Sequence, residues 1–345
     1  MTNRIQARQS GAPRLMRKAK MTDSIKEKLK ALGFPPREGS LRPISKGGSM
    51  RSFCRFKSGG KAYIFCEYSA EKRENFLYAN IARFLASCGV KVCEIFLDNP
   101  QTRTLVISDL GETDLLDFSK LAPPCALQKA RENALLEAFK IHVKAGEKFE
   151  RAPIELMPSF DEKLYAWEQD YFYDNFMRGH LKLEIPPPES EWKDLRSSFL
   201  KLPQCLVHRD FQSQNIIVNP QTLETSLIDF QGLRKGVNFY DVGSLIFDPY
   251  CDMQGSSREK LFEFYCSLSQ INPQSERKNF LKISAQRLMQ ALGAYAFLAD
   301  KKGKPEYLKY MRPALENLIF CADCCGLRET LKLANSALNK LQSLA

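Results

Sequence analysis

The sequence predicts an α+β chain in two lobes, a small N-terminal lobe around an antiparallel sheet and a larger, mostly helical C-terminal lobe. Three features carry that expectation. Residues 41–67 read as short strands separated by glycine turns, long helical periods take over after about residue 110, and one hairpin-forming segment interrupts the helical half. With 345 residues, 44 % hydrophobic and 26 % charged, the chain is long enough for two cores and is neither disordered nor collagen-like.

Residues 1–20 carry Arg4, Arg8, Arg14, Arg17, Lys18 and Lys20 and no acid, so six of the eleven net positive charges sit there and five are spread over the other 325 positions. This basic leader reads as a disordered tail, an unused upstream start before Met21, or a targeting segment. Without it the chain is only mildly basic, and basic and aromatic residues do not interleave as a base-stacking surface requires, so no nucleic-acid partner is expected.

In the N-terminal lobe, residues 21–110, Ile25, Leu29 and Leu32 recur at helical spacing, and Gly33 with Pro35 and Pro36 closes that helix. Strand segments follow from Leu41 to Glu67, with turns at Lys46-Gly47-Gly48-Ser49 and Ser58-Gly59-Gly60. Glu71 to Ser87 is helical with Phe76, Ile81, Phe84 and Leu85 on its apolar side, and strands at Val92–Leu97 and Arg103–Ile107 complete the lobe. The C-terminal lobe, residues 111–345, has helical periods near 126–144, 160–178, 189–201, 256–269, 275–299, 306–319 and 326–343. Pro186-Pro187-Pro188 reads as a rigid turn. No run of eighteen apolar residues occurs, so no membrane partner is expected, and none of the segments marks a protein partner. Eleven cysteines without framework spacing read as reduced thiols in a cytoplasmic setting, including Cys321, Cys324 and Cys325, which lie in a helical period with no second CxxC or His nearby.

The chemistry concentrates between residues 202 and 231. His208-Arg209-Asp210 leads into the apolar run Asn215-Ile216-Ile217-Val218, a turn at Asn219-Pro220-Gln221, and a second run ending in Ile228-Asp229-Phe230-Gln231. Two such runs around an Asn-Pro turn make a hairpin. If Val218 pairs near Thr225, Asn215 falls opposite Ile228, and the Asn215 amide and Asp229 carboxylate reach the same open end. Mg²⁺ accepts few protein oxygens and keeps other sites for water and phosphate, which suits Asn215 and Asp229. Asp210 is then available to accept a proton from an attacking hydroxyl.

HRD-x4-N followed by DF resembles the catalytic arrangement of the protein-kinase-like superfamily. Asp229-Phe230-Gln231 replaces DFG, and Asp241 follows so soon that no activation segment fits, which makes a small-molecule hydroxyl the expected acceptor. The resemblance is to the aminoglycoside phosphotransferase and choline kinase branch, a bilobal protein-kinase-like fold. It implies ATP and Mg²⁺ bound where the lobes meet, and it makes Asp241 and His208 supports of the catalytic loop. It also lays the turn of Gly47, Gly48 and Ser49, with Arg51 beside it, over the phosphates, although an ordinary hairpin explains a Gly-Gly turn equally well. Ser108, Asp109 and Leu110 would form the hinge that binds adenine. The third strand lacks the usual lysine, so either Arg51, Arg55 or Lys61 substitutes, with Glu74 as ion-pair partner or solvated helix residue, or phosphate contact is weaker.

Within that branch the chain looks like the anomeric kinases that phosphorylate N-acetylmuramate and N-acetylglucosamine in cell-wall recycling. The matching stretches are Ser52-Phe53-Cys54-Arg55-Phe56, Ile107 to Gly111, Trp167-Glu168 with Phe172 and Phe176, His208 to Phe211, Ile228 to Gln231, and Leu292-Gly293-Ala294-Tyr295 followed by Gly303 to Leu308. The resemblance implies an N-acetyl sugar acceptor met by Trp167, Glu168 and Gln231, although packing explains the aromatics around Trp167 as readily. Arg209 would offset charge on the phosphoryl group or reach solvent. Rival readings are phosphorylation of an aminoglycoside, choline or another amino alcohol, and a catalytically silent nucleotide-binding scaffold.

Overall fold

The computed structural model describes residues 23–44 and 51–344, so the basic leader and the turn holding Gly47, Gly48 and Ser49 lie outside the described residues. Among the described residues two compact units emerge, one of residues 23–44, 51–72 and 94–109, the other of residues 73–93 and 110–344.

In the first unit, helix α1 (residues 23–31) accompanies strands β1 (Arg42–Ile44), β2 (Ser52–Ser58) and β3 (Lys61–Glu67). Strands β4 (Ile95–Asn99) and β5 (Thr104–Ser108) complete an antiparallel sheet of order β1-β2-β3-β5-β4. The β2–β3 hairpin turns at Gly59 and Gly60, whose φ of 53° and 80° lie in the left-handed region that glycine enters without a Cβ clash. Period-two alternation turns Cys54 and Phe56 inward, where they meet Ile25 and Leu29 of α1 together with Tyr63, Phe65 and Val106.

Helix α2 (Glu74–Ser87) starts three residues later than the sequence pattern suggests, and Arg73–Cys93 groups with the second unit and not with the expected 21–110 lobe. Tyr78 anchors it there by stacking on Phe230, ring centroids 4.6 Å apart. Ile81 and Leu85 are fully buried, but Phe76 is 41 % exposed because it shares a face with the exposed Asn80 and Arg83.

The rest of the second unit is mainly helical. α3 (Leu115–Ser119) and α4 (Pro124–Phe139) come first, and α4 continues through a π-helical segment, Lys140–Ala145, into α5 (Gly146–Arg151). α6 (Glu162–Phe172) runs into a second π segment, Tyr173–His180, and α7 (Glu189–Leu200) follows the proline turn. Four three-residue strands, β6 (Cys205–Val207), β7 (Ile216–Val218), β8 (Thr225–Leu227) and β9 (Arg234–Gly236), pair as β6 with β9 and β7 with β8. α8 (Phe239–Ile246), α9 (Gly255–Ser269), α10 (Pro273–Ala296), α11 (Met311–Cys325) and α12 (Arg328–Leu344) close the chain, with a third π segment, Phe297–Lys301, after α10.

Side-chain caps explain several helix starts. Asp161 accepts from the Leu164 N–H at 2.8 Å and Asn272 from the Gln274 N–H at 2.8 Å, each satisfying an orphan donor worth about 1 kcal/mol. α10 crosses α6 closely at Gly293, where a Cβ would lie 2.7 Å from the Tyr171 carbonyl oxygen, so no larger residue fits without separating the helices. On α11, Cys321 and Cys325 point inward and Cys324 outward, and burial pushes the Cys325 thiol up to about 11. Among the described residues no helix is long and apolar enough to cross a membrane.

Candidate active site

The β7–β8 hairpin pairs Val218 with Thr225, Ile217 with Ser226 and Ile216 with Leu227, and the Ile228 N–H then donates to the Asn215 carbonyl at 3.0 Å. This is the register implied by the sequence, and it carries Asn215 and Asp229 to one end of the hairpin. The chain turns sharply there: Asp229 has φ +62° and is followed by a 3-10 turn, Phe230–Gly232, locked by the buried Phe230. The Asn215 amide nitrogen donates to the Asp210 main-chain carbonyl at 2.9 Å, which leaves its oxygen as the acceptor end. Gln231 Nε2 donates to Asp229 Oδ1 at 2.9 Å and the residue is 5 % exposed, so the side chain expected on the acceptor here orients Asp229.

The loop carrying His208, Arg209 and Asp210 is held from behind. Asp241, on α8 and fully buried, accepts the His208 N–H at 2.6 Å on Oδ2 and the Arg209 N–H at 2.8 Å on Oδ1. Arg209 sits at φ +80°, a conformation unfavourable for a residue with a Cβ, and the Asp241 bond fixes its backbone there. His208 Nε2 donates to the Ile228 carbonyl at 3.0 Å, which ties the loop to the hairpin. His142, from the first π segment, places Nε2 3.0 Å from Asp241 Oδ2 and Nδ1 2.7 Å from the Tyr265 hydroxyl. A carboxylate only accepts, so Nε2 carries the proton, Nδ1 accepts from Tyr265, and the Tyr265 oxygen accepts from Asn238 Nδ2 at 3.0 Å.

The front of the loop is different. The Asp210 side chain is 31 % exposed, and its two oxygens face Arg209 Nη1 at 3.8 Å and Arg287 Nη2 at 3.9 Å, beyond hydrogen-bond length. Burial works against the charge of Arg209, but Asp210, then Tyr240, Glu168 and Glu74, outweigh it and hold its pKa above the ordinary value. Behind these groups Glu168 has no exposed surface and accepts from the Tyr240 hydroxyl at 2.7 Å and from Gln286 Nε2 at 3.1 Å. Burial pushes the Glu168 carboxyl up, opposed in part by Arg209, Tyr240, Gln286 and Arg287. Enclosure therefore corrects the expectation that Glu168 touches an acceptor: its partners Tyr240 and Gln286 are fully buried as well. Trp167, one residue earlier on α6, is 47 % exposed and stacks on Tyr171 at 4.9 Å, while Phe172 and Phe176 are core residues.

The remaining expected nucleotide residues fall partly in the first unit. Arg55 is held there by Asp109 in a two-pronged ion pair, Nε to Oδ2 at 2.6 Å and Nη2 to Oδ1 at 2.9 Å. Arg51 lies over the Phe53 ring, 5.7 Å from its centroid. Ser108 Oγ accepts the Glu94 N–H at 2.9 Å, and the division between units falls between Asp109 and Leu110, where the sequence changes character. Glu74 opens α2 in the second unit, where its charge reaches Arg209.

Nothing in the sequence marks Arg287, a charged residue inside the long apolar period of α10. His142 carried a faint signal as one of only three histidines, set among apolar residues on a helix.

A small antiparallel sheet is followed by a helical unit whose loop and hairpin carry Asp210, Asn215 and Asp229, and the family match makes the chain a phosphotransferase that uses an alcohol-type acceptor. The chain belongs to the Phosphotransferase enzyme family, which matches residues 40–277. It is 26 % identical over 286 residues to an N-acetylmuramate/N-acetylglucosamine kinase of Pseudomonas aeruginosa, covering 79 % of this chain and 80 % of that protein. Among solved structures, a choline/ethanolamine kinase family protein from Mesorhizobium loti superposes with TM-score 0.61 at 18 % identity, covering 91 % of this chain and 99 % of the other. An ADP-bound aminoglycoside phosphotransferase superposes with TM-score 0.53 at 13 % identity, covering 85 % and 96 %. These two likenesses bear out the α+β, kinase-like fold.

Proposed function

We propose that the chain transfers the γ-phosphoryl group of ATP to the anomeric hydroxyl of an N-acetyl amino sugar of the N-acetylmuramate/N-acetylglucosamine type. The observation that carries the acceptor is the similarity to a kinase of that name over about four fifths of both chains. The charge around Asp210 agrees with it: Arg209 and Arg287 flank the carboxylate, and a cationic aminoglycoside or choline would meet repulsion there.

In this reading Asp210 accepts a hydrogen bond from the attacking hydroxyl, aligns it in line with the phosphoryl group and takes its proton as the new P–O bond forms and the bond from the γ-phosphorus to the bridging oxygen breaks, with ADP as the leaving group. Asp241 and His208 keep the loop backbone in position, and Gln231 keeps Asp229 in its rotamer. The Asn215 amide oxygen and the Asp229 carboxylate are hard oxygen donors at one end of the hairpin, the donor type and small number that Mg²⁺ accepts from protein. Bound there with the nucleotide, the ion would neutralise phosphate charge. Nucleotide use is supported by the ADP-bound family neighbour, and the turn of Gly47, Gly48 and Ser49 stays the proposed phosphate cover.

An ATP-consumption screen with N-acetylmuramate, N-acetylglucosamine, an aminoglycoside and choline in parallel tests the assignment. Turnover on the N-acetyl sugars is expected. Turnover confined to the cationic acceptors would overturn it.

A further inference from the structure

Buried guanidinium groups ordinarily find hydrogen-bond acceptors, because each unpaired donor away from water carries a desolvation penalty. Arg209 does not conform. Its side chain is only 19 % exposed, its Nε is buried without a partner, and its Nη1 stays 3.8 Å from the Asp210 carboxylate. Arg287 is 7 % exposed, its Nε is also buried without a partner, and its Nη1 donates to Gln290 Oε1 at 2.6 Å. Its Nη2 stops 3.9 Å from the other oxygen of Asp210. Arg234 adds a third buried guanidinium close enough to Arg209 for their charges to oppose each other. Against these stand Asp210 and Glu168, and burial drives Glu168 toward its neutral form.

We propose that Arg209 and Arg287 form an anion subsite beside Asp210 that receives the carboxylate of an acidic acceptor sugar. The inference rests on the sugar-kinase reading and names the part of the acceptor that this side of the site recognises. The metal-side residue Asn215 meets Asp210 through its main chain, whereas both guanidinium groups meet its carboxylate, the end at which an acceptor hydroxyl is held. An anionic oxygen placed between the two forks accepts from Arg209 Nη1 and Arg287 Nη2, the guanidinium nitrogens that face Asp210 without reaching it, and the fixed planar geometry of guanidinium suits a two-oxygen carboxylate. A cavity that Arg287 lines together with Gln212, Ser244 and Asp248, but not Asp210, measures about 10 Å³, room for one water molecule and not for an acid group. The anion therefore enters from the exposed side of Asp210.

N-acetylmuramate and N-acetylglucosamine differ by a lactyl ether, and hence by one carboxylate, so the pair isolates the interaction. Steady-state kinetics of the full chain, Arg287→Gln and Arg287→Lys on both sugars gives the acidic-to-neutral ratio of kcat/KM. Arg287→Gln is expected to lower that ratio at least tenfold, mainly through KM for the acidic sugar, with Arg287→Lys intermediate. If Arg287→Gln does not melt cooperatively, Arg287→Lys is read in its place and a threefold fall is expected. A ratio constant within twofold in the folded variants overturns the subsite, and so does a rise in KM for ATP that equals the rise for the acidic sugar, which assigns the anion to the phosphoryl group. Wild-type protein inactive on both sugars overturns the functional reading instead. NMR titration with D-lactate then decides the subsite: binding to wild type and not to Arg287→Gln upholds it, and equal or absent binding overturns it.

Discussion

Behind the loop of residues 208–210 and in front of it, buried polar groups are treated in opposite ways. At the back, Asp241 accepts three hydrogen bonds and both ring nitrogens of His142 are engaged, in a chain that ends on Tyr265 and Asn238. At the front, the Asp210 carboxylate and the guanidinium groups of Arg209 and Arg287 stop short of one another by nearly 4 Å. A polar group that serves the fold finds its partners within the folded chain, because leaving it unpaired lowers stability directly. At Arg209 and Arg287, beside the partly exposed Asp210 carboxylate, donors left short of one suit a partner that arrives with the ligand.

Substitutions on the two sides should therefore separate activity from stability. The largest effect is expected at the front: Asp210→Asn should lower kcat about a thousandfold, the middle of the range for losing a general base, with an unchanged melting temperature. Turnover near wild type, measured in the same ATP-coupled assay, would refute the role of Asp210. At the back, His142→Ala removes one of the donors to a fully buried carboxylate and should cost about 2 kcal/mol in chemical denaturation, with kcat falling as the loop loosens. His142→Gln keeps an N–H donor and should recover part of both losses. A His142→Ala protein with full stability would show that the back of the loop does not depend on the chain through Tyr265.

The smallest effect concerns pH. Burial raises the Glu168 pKa in the folded state above its ordinary value near 4.5, so the folded protein holds this proton more tightly than the unfolded chain. Between those two pKa values stability must fall as pH rises, and the loss persists above the folded value. Glu168→Gln abolishes this contribution, so its melting temperature relative to wild type should climb from pH 4.5 upward and then level off. A difference that is flat with pH would mean that Glu168 titrates alike in both states.

The sequence made the hairpin legible because its register follows from two apolar runs and one turn: pairing Val218 with Thr225 is enough to bring Asn215 and Asp229 together. The long helices were legible from their apolar periods and from caps such as Asp161 and Asn272. The strands β6 and β9 were not, because three residues are too few to establish a period. Nor was the burial of Glu168, which depends on α10 approaching α6 closely enough at Gly293 for Gln286 to reach it. The pairing of Arg55 with Asp109, 54 positions apart, likewise depends on how the sheet folds and not on any local pattern.

The π segment at Lys140–Ala145 has a consequence for how this enzyme tolerates change in length. A π turn accommodates an extra residue in the helix, and each residue added or removed rotates the downstream part of the helix by about 100°. His142 lies inside that segment, so its alignment with Asp241 depends on a phase set upstream along α4. Deleting one residue from α4 would swing the imidazole away from Asp241 while leaving every catalytic-loop residue intact. Length variation among related chains should accordingly be absorbed before α4 begins or after α5 ends, and not between them.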